Sequence, residues 1–150
     1  MNTEKTFVMV KPDGVQRGLV GEVISRFEKK GLRIAGIKMV NIHRELASKH
    51  YNEHREKPFY EDLIRFITSG PVVAMVLDGP DAISIVRKLV GATAPQNAEP
   101  GSIRGDYVVF TTFNIVHASD STESSDREID LFFTESELTE YKLDIQNNLY

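Results

Sequence analysis

The sequence predicts one α+β domain in which short strands alternate with amphipathic helices. Two observations carry this prediction. Apolar runs of strand length occur at residues 6–10 and 72–77, and segments with apolar residues at helical spacing lie between the runs. At 150 residues the chain is long enough to bury a substantial core. We therefore expect a single domain over residues 1–150.

The first part of the chain predicts a strand, a helix and a second strand. Residues 6–10, which are apolar from Phe7 onward, are typical of a buried strand. Val20, Val23, Ile24 and Phe27 then follow a spacing of three and four, which predicts a helix that Gly31 can end. Residues 32–40 alternate loosely and predict a second strand, which Gly36 weakens.

The middle of the chain predicts two short helices, a central strand and a further helix. Residues 45–56 and 59–67 are the two helices, and Pro58 separates them. The continuous apolar run at residues 72–77 indicates a strand that is buried on both faces. The next helix, which Gly91 stops, is predicted by the spacing of Ala82, Ile85, Val86 and Leu89.

The last part contains a long loop, a short strand and helices. Residues 91–108 predict a loop with little regular structure, and loops of this length are often functional. His117 ends a short strand, and a helix built on Ile129, Phe132 and Phe133 follows. Thr134 and Glu137 form a capping box for a last short helix. This order predicts a ferredoxin-like βαββαβ core with a four-stranded antiparallel sheet, extra short helices, the long loop after residue 91 and a C-terminal extension.

Composition excludes several classes of function. The net charge is −4, and the 18 basic residues are dispersed, which argues against a general nucleic-acid binder. The absence of cysteine excludes disulfides and thiolate chemistry. No apolar run spans a bilayer, and the first residues show no secretory signal. We expect a cytoplasmic protein that needs neither a membrane nor nucleic acid.

The segment at residues 114–121 carries the strongest chemical signal. His117 follows a short apolar run, hydroxyl and carboxylate side chains come next, and Glu128 lies eleven positions later. Imidazole is well suited to act as a nucleophile or proton carrier near neutral pH. Taken alone, His117 could also simply cap a strand.

Several cationic and hydroxyl side chains could bind an anion beside this histidine. Lys11 follows the first strand directly, and Arg87, Thr93 and Arg104 flank or lie within the long loop. Phosphoryl transfer requires positioning and charge stabilisation of this kind. There is no Walker A pattern, so side chains and Mg²⁺ would have to hold any nucleotide phosphates.

Two other classes of function compete with a nucleotide enzyme. Residues 50–54 match the H-x-x-E-H pattern of inverted zinc proteases, with His50 and His54 at helical spacing. Solvated histidines on a surface helix are the simpler interpretation of that pattern. A non-catalytic module that senses nucleotides is the other alternative, but it would not need Glu128 behind His117.

Five segments together resemble the nucleoside diphosphate kinase family, from residue 5 to residue 150. They are residues 7–15, 70–75, 100–106 and 114–120, together with Arg87 and the Gly-Ala-Thr at residues 91–93. The resemblance implies transfer of the γ-phosphate of a nucleoside triphosphate to a nucleoside diphosphate by a ping-pong mechanism with Mg²⁺. It also implies that His117 becomes a pros-phosphohistidine.

The resemblance further assigns roles to the site residues. Glu128 and Ser119 would support His117, and Asn114 with Lys11 would bind the ribose hydroxyls. Phe59, with Leu63 beside it, would stack on the base, and stacking tolerates any base. The side chains that would address the phosphates are Lys11, Tyr51, Arg87, Thr93 and Arg104. No protein ligand for the metal is expected, because the nucleotide phosphates would carry Mg²⁺.

The chain departs from the usual family pattern at three positions. Phe113 stands where Arg is usual, and Ala118 stands where Gly is common. A strand is expected at residues 108–112, and in it Thr111 takes the place of the aliphatic residue that usually faces the base.

The resemblance also implies a homo-oligomer, most often a hexamer and less often a tetramer. We expect the tail at residues 141–150 to dock on a neighbouring subunit, although it could fold back on its own.

Overall fold

The protein folds around one antiparallel sheet of four strands. A computed structural model describes residues 3–150. The strands lie in the order β2-β3-β1-β4. With the connecting helices this is a ferredoxin-like βαββαβ arrangement, as predicted. The strands are β1 (Thr3–Val10), β2 (Arg33–Val40), β3 (Val72–Pro80) and β4 (Val116–Ala118).

Seven α-helices cover the sheet and its ends within the described chain. They are α1 (Pro12–Gln16), α2 (Val20–Lys30), α3 (Arg44–His50), α4 (Tyr60–Ile67), α5 (Ala82–Val90), α6 (Ile103–Tyr107) and α7 (Thr122–Phe132). Gly31 ends α2 with a φ of 104°, a left-handed cap that glycine adopts without steric cost. Across residues 3–150, no helix has the length and apolar character that crossing a membrane requires.

The central strands are buried because helices pack on both faces of the sheet. Val8 and Val10 of β1 face one apolar cluster, which α2 and α5 complete. Phe7 and Met9 face the other cluster, with residues from α4 and α7. Residues on successive positions of a strand point to opposite faces, so the fully apolar run predicted for β1 serves both clusters. β4 is paired only with β1 and lies at the edge of the sheet.

The predicted strands and main helices are confirmed, and the differences lie in short elements. α1 was not expected; Pro12 at its first turn has the fixed φ that suits a helix start. The helix predicted over residues 45–56 ends at His50 and continues only as a 3₁₀ turn, Asn52–His54. His117 is the middle residue of β4, where it pairs with Met9, and does not end the strand.

The segment after α5 is more regular than predicted. Residues 91–108 contain a 3₁₀ turn, Pro95–Asn97, and the helix α6. Ser102 caps α6 by accepting a hydrogen bond from the Gly105 amide at 3.0 Å. The expected strand at residues 108–112 is absent; a 3₁₀ turn at Thr111–Phe113 takes its place. The last predicted helix is also a single 3₁₀ turn, Glu135–Glu137, in which the Thr134 amide donates to Glu137 Oε1 at 2.8 Å.

The C-terminal tail packs on its own chain, and its docking on a neighbouring subunit stays a prediction. The Tyr141 hydroxyl donates to the carbonyl of Ile34 at 2.5 Å. The Arg33 guanidinium lies 4.7 Å from the centre of the Tyr141 ring. Leu149 covers Gly31, where an added Cβ would lie 3.1 Å from the leucine methyl groups. These contacts cover apolar side chains of the otherwise polar tail with residues of the same subunit.

Candidate active site

A cleft of about 310 Å³ opens where β1 ends and β4 begins. Strand and helix ends and the long loop all contribute to its walls, which is why residues distant in sequence meet here. Most of the predicted site residues line it: Lys11, Tyr51, Arg87, Thr93, Arg104, Asn114, His117 and Glu128. The sequence therefore predicted the location of the cleft, and the fold brings those side chains to a common space.

His117 is fixed from one side by a buried carboxylate. Its Nε2 lies 2.9 Å from Glu128 Oε1, and Ser119 Oγ donates to that same oxygen at 2.6 Å. Glu128 is 3% exposed and Ser119 is 1% exposed, whereas a quarter of the His117 side chain is open to the cleft. Burial raises the pKa of Glu128, but the hydrogen bond and charge of His117 outweigh burial and hold this pKa below its usual range.

His50 is the nearest aromatic neighbour of His117, and the expectation of a solvated surface histidine is wrong for it. The two imidazole centroids are 4.9 Å apart and the rings are nearly perpendicular. His50 is only 4% exposed, because α3 ends against Phe7 and Phe132 in the core. Burial, helped by the charge of His117, lowers the pKa of His50 to about 3. His50 is therefore neutral near pH 7.

Lys11 and Arg104 both bring positive charge to the cleft. Lys11 Nζ donates to Asn114 Oδ1 at 3.0 Å. Arg104 is 3% exposed and donates to the carbonyls of Gly91 and Val116 at 3.0 and 2.5 Å. Burial lowers the pKa of Lys11 to about 8, with a contribution from Arg104, and lowers that of Arg104 to about 10. Both side chains remain predominantly charged at neutral pH, in surroundings where a phosphate would be strongly attracted.

The remaining polar residues complete the cation and hydroxyl set. Arg87 Nη1 donates to the carbonyl of Ala118 at 3.0 Å, which places the guanidinium next to His117. Burial raises the pKa of Tyr51 to about 12, so its hydroxyl stays protonated and able to donate. Thr93 is exposed at the rim. The cleft can therefore offer positive charge and hydrogen-bond donors to one anion beside one imidazole.

The predicted base-binding residues lie outside the walls of this cleft. Phe59 is 45% exposed, and its ring centroid is 5.6 Å from that of His54, which does line the cleft. Leu63 follows one turn later on α4, at the position that shares a helix face with Phe59. Phe113 is 52% exposed and meets Phe66 of α4 edge to face at 5.8 Å. Phe113 thus makes an aromatic contact where a usual Arg would place a charge.

Sequence reasoning missed several side chains that line the cleft. Asp120 and Ser124 lie near the start of α7, where Ser124 Oγ donates to Asp120 Oδ1 at 2.8 Å. Arg127 Nη2 lies 3.7 Å from Glu128 Oε2, and nothing in the sequence pattern marks it. The further residues that were not predicted are His50, Glu53 and His54. These three residues are the His, Glu and His of the H-x-x-E-H pattern, which the sequence analysis related to a zinc site instead.

The structure does not support a zinc protease site in that pattern. His50 ends α3, whereas His54 lies in the following 3₁₀ turn. Among residues 3–150, the group of side chains whose ligand atoms lie within 4.8 Å of one another is instead His50, His117 and Glu128. There, Glu128 Oε1 already accepts hydrogen bonds from Ser119 and His117. This trio is better described as a supported histidine than as a hydrolytic metal centre.

The fold and the cleft define an α+β enzyme for phosphoryl transfer. An oriented imidazole and a set of fixed cations are what histidine-mediated transfer of a phosphoryl group requires. Neither a zinc hydrolase nor a passive nucleotide sensor needs this combination.

Comparison with known proteins identifies the family. The nucleoside diphosphate kinase family model matches residues 4–138. A nucleoside diphosphate kinase of Archaeoglobus fulgidus is 61% identical over 139 residues, which cover 93% of this chain and 92% of that protein. One from Carboxydothermus hydrogenoformans is 56% identical over 147 residues, 98% of this chain and 99% of that protein. The structure of the halophilic enzyme of Halobacterium salinarum in complex with CDP matches with a TM-score of 0.96 at 51% identity, covering 99% of both chains.

The chain belongs to the nucleoside diphosphate kinase family and is an enzyme of that activity, which transfers the γ-phosphate of a nucleoside triphosphate to a nucleoside diphosphate. The predicted fold class and activity are confirmed, and the zinc-hydrolase and sensor alternatives are wrong.

Proposed function

We propose that the reaction proceeds by a ping-pong mechanism through a phosphohistidine on His117. The observation that carries this proposal is the 2.9 Å contact between His117 Nε2 and the buried Glu128 carboxylate. An ionised carboxylate can only accept, so Nε2 carries the proton and Nδ1 holds the lone pair. Nδ1, the pros nitrogen, is therefore the nucleophile. It attacks the γ-phosphorus, the bond to the bridging oxygen breaks, and the nucleoside diphosphate leaves.

Glu128 and Ser119 act by holding the imidazole. As His117 gains a phosphoryl group, its ring becomes more positive, and the adjacent carboxylate stabilises that charge. Ser119 fixes Glu128 by donating to the same oxygen. The second half-reaction reverses these steps with a different nucleoside diphosphate in the same cleft.

Lys11, Arg87, Arg104, Tyr51 and Thr93 are proposed to bind the phosphates. Their charges and hydroxyls face the one cleft that also exposes His117. Because Arg104 is buried and braced by two carbonyls, its charge is preorganised and costs little rearrangement during transfer.

Mg²⁺ is the proposed cofactor, carried by the nucleotide phosphates. The donor set of the cleft fits this proposal, since it is mainly cationic and offers no cage of oxygen ligands. Of the three carboxylates in the lining, Glu128 is bound to His117 and Ser119 and Glu53 is bound to Arg127, so Asp120 is the one proposed to hold the metal's water ligands. When bound, Mg²⁺ supplies charge neutralisation of the phosphate oxygens.

The nucleoside is proposed to lie toward the open end of the cleft. Asn114 and Lys11 would bind the ribose hydroxyls, and their mutual hydrogen bond of 3.0 Å presents both groups together. Phe59, beside Leu63, would stack on the base. An exposed aromatic face distinguishes bases weakly, which supports broad base specificity.

A homo-oligomer, most often a hexamer, stays our prediction for assembly, as do a cytoplasmic location and a single domain over residues 1–150. Ile37 and Met39 on the edge strand β2 are 46% and 63% exposed, an apolar edge that a second subunit could cover. Light scattering at micromolar concentration tests the assembly. A mass near that of one chain would refute it, and a mass of four chains would refute the hexamer alone.

Initial-rate kinetics test the ping-pong mechanism. Steady-state rates with two different nucleotides should give parallel double-reciprocal lines. Intersecting lines would contradict the mechanism, because they require both nucleotides to be bound together.

A further inference from the structure

The backbone just before His117 is held in a conformation that its side chain disfavours. Ile115 has a φ of 58°, in the left-handed region, although it is β-branched and fully buried. Such a residue is a genuine outlier, and it persists only where the surroundings determine it. A hydrogen bond of 2.7 Å from the Val116 amide to the Asn114 carbonyl closes a tight turn around Ile115. We call residues 114–116 the Ile115 turn.

The backbone N–H and C=O groups of Ile115 are both bound by residues at the start of α1. The Ile115 amide donates to Asp13 Oδ2 at 3.1 Å, and its carbonyl accepts from the Lys11 amide at 2.8 Å. The two segments also touch closely at Gly14, where an added Cβ would lie 2.8 Å from the Ile115 carbonyl oxygen. Asp13 is therefore the one side chain of these two segments that holds the Ile115 amide.

The Ile115 turn contains, contacts or precedes three residues that line the cleft. Asn114 presents its side chain to Lys11 Nζ. The Val116 carbonyl accepts from Arg104. His117 is the next residue, two positions after the strained one. A rotation of the turn would therefore move the nucleophile and two of its neighbours at once.

Burying the carboxylate of Asp13 at this position costs free energy. Burial raises its pKa, although the Ile115 amide and Lys11 oppose that shift. Its Oδ1 is buried and makes no hydrogen bond with the described part of the chain. A buried polar atom without a partner carries a free-energy cost, which a positional role would explain. A plain structural role, in which the charge favours the first turn of α1, needs no contact with Ile115.

We propose that Asp13 is a positioning residue, whose carboxylate oxygen holds the left-handed turn at Ile115 and thereby sets Asn114 and His117 for phosphoryl transfer. This inference rests on the proposed role of His117. Asp13 itself touches neither nucleotide nor phosphorus in this account. The turn requires an oxygen at the position of Oδ2 that accepts the hydrogen bond from the Ile115 amide. The negative charge of Asp13 contributes less than this acceptor does.

Three substitutions separate an acceptor from a charge. Asp13→Asn removes the charge and keeps an oxygen that can accept from Ile115. Asp13→Glu keeps the charge but moves the oxygens by one methylene, and Asp13→Ala removes both. We expect the single-turnover rate of His117 phosphorylation to stay within about threefold of wild type for Asn. For Glu and Ala it should fall by about 10- to 100-fold, the scale of groups that orient a metal-bound histidine.

The experiment uses the full chain and γ-labelled ATP at saturating concentration. Glu45→Ala, which removes an exposed carboxylate from the first turn of α3, is the matched control and should be unaffected. Imidazole NMR signals of His117 should keep one conformation in the Asn variant and shift or broaden in the Glu variant. A slow Asn variant, or a Glu or Ala variant that matches wild type, overturns the proposal. Failure of the wild type to take up label would instead overturn the proposed role of His117.

Discussion

The side chains proposed to serve phosphoryl transfer and those proposed to bind the base differ in how firmly they are held. At the phosphate end, Arg104, Asn114 and Glu128 are each at most 6% exposed and are hydrogen-bonded to neighbours far along the chain. Phe59, the residue proposed to stack on the base, is 45% exposed, and its ring centroid lies 5.6 Å from that of His54.

This difference matches the demands of the two tasks. Phosphoryl transfer gains from charges that are fixed before reaction and shielded from water. Accepting any base gains from a flat apolar face with few directional contacts. We therefore expect changes at the phosphate end to act on the rate of transfer, and changes at the base end to act on affinity.

The largest effect should come from His117→Gln. Without the nucleophile there is no phosphoenzyme, so transfer should be abolished, while nucleotide binding should change by no more than a few fold. Calorimetric titration with ADP and a coupled assay measure the two quantities. His43→Gln, at an exposed histidine, is the matched control. Substantial turnover by the His117 variant would contradict the mechanism.

Arg104→Ala should give the next largest effect. Removing one preorganised donor to developing charge typically costs about 10²- to 10³-fold in rate. We expect the single-turnover rate to fall on that scale and the ADP dissociation constant to rise much less. Arg87→Ala should show the same pattern with a smaller loss, since Arg87 has one protein hydrogen bond among the described residues and Arg104 has several.

Because Arg104 also braces two carbonyls, its alanine variant needs a measure of folding. Arg104→Lys keeps a charge and one donor, and it should recover part of the rate. A loss confined to affinity in either variant would make these arginines binding residues alone.

Glu128→Gln should slow phosphorylation of His117 by about 10- to 100-fold without abolishing it, since the amide can still accept but supplies no charge. Single-turnover labelling measures this rate. Glu123→Gln, on the exposed first turn of the same helix, should behave as wild type. Unchanged kinetics in the Glu128 variant would show that its contact with His117 has no part in the chemistry.

Activity should fall as pH rises through about 8, where the buried Lys11 loses its charge. The value of kcat/KM reports the free enzyme, so the alkaline limb should appear there. The free energy of unfolding should not decrease as Lys11 loses its charge. The pKa of Lys11 in the folded state is below its ordinary value of 10.5, so deprotonation of this group between the two values favours the folded state. A flat kcat/KM profile to pH 9.5 would contradict the role of Lys11, and circular dichroism checks the fold.

Phe59→Ala should have the smallest effect and should act on affinity. Stacking on an exposed ring is worth about 1 kcal/mol, the low end of the range for base–aromatic contacts, which corresponds to a rise of about fivefold in KM. The value of kcat should change little, and Phe59→Tyr should restore the wild-type KM. A large loss of kcat would erase the distinction between the two ends of the cleft.

The sequence predicted the framework of the fold because the framework follows from apolar periodicity. The run in β1, the helical spacing in α5 and the glycine after α2 are local signals. The tight turn at Ile115, the helix α6 and the position of His117 within β4 were not predictable in this way. They depend on contacts such as that between Asp13 and Ile115, which join residues 102 positions apart.

The site residues likewise fall into those that the sequence predicted and those that only the folded structure reveals. Residues that match family motifs, such as His117, Arg104 and Asn114, were found from the sequence and do line the cleft. His50 and Arg127 reach the cleft only because α3 and α7 pack beside β1, and neither has a motif of its own for this role. The H-x-x-E-H pattern at His50 even suggested different chemistry. Burial in the core, rather than spacing along a helix, decides what that histidine does.

The most direct measurement is to locate the phosphate on the protein itself. The full chain is incubated with γ-labelled ATP and Mg²⁺, separated from nucleotide, and digested for mass spectrometry under alkaline conditions. The account predicts about one acid-labile, base-stable phosphate per chain, attached to His117 at Nδ1 and discharged on addition of a nucleoside diphosphate. An enzyme that transfers phosphate between nucleotides while His117 stays unlabelled would contradict it.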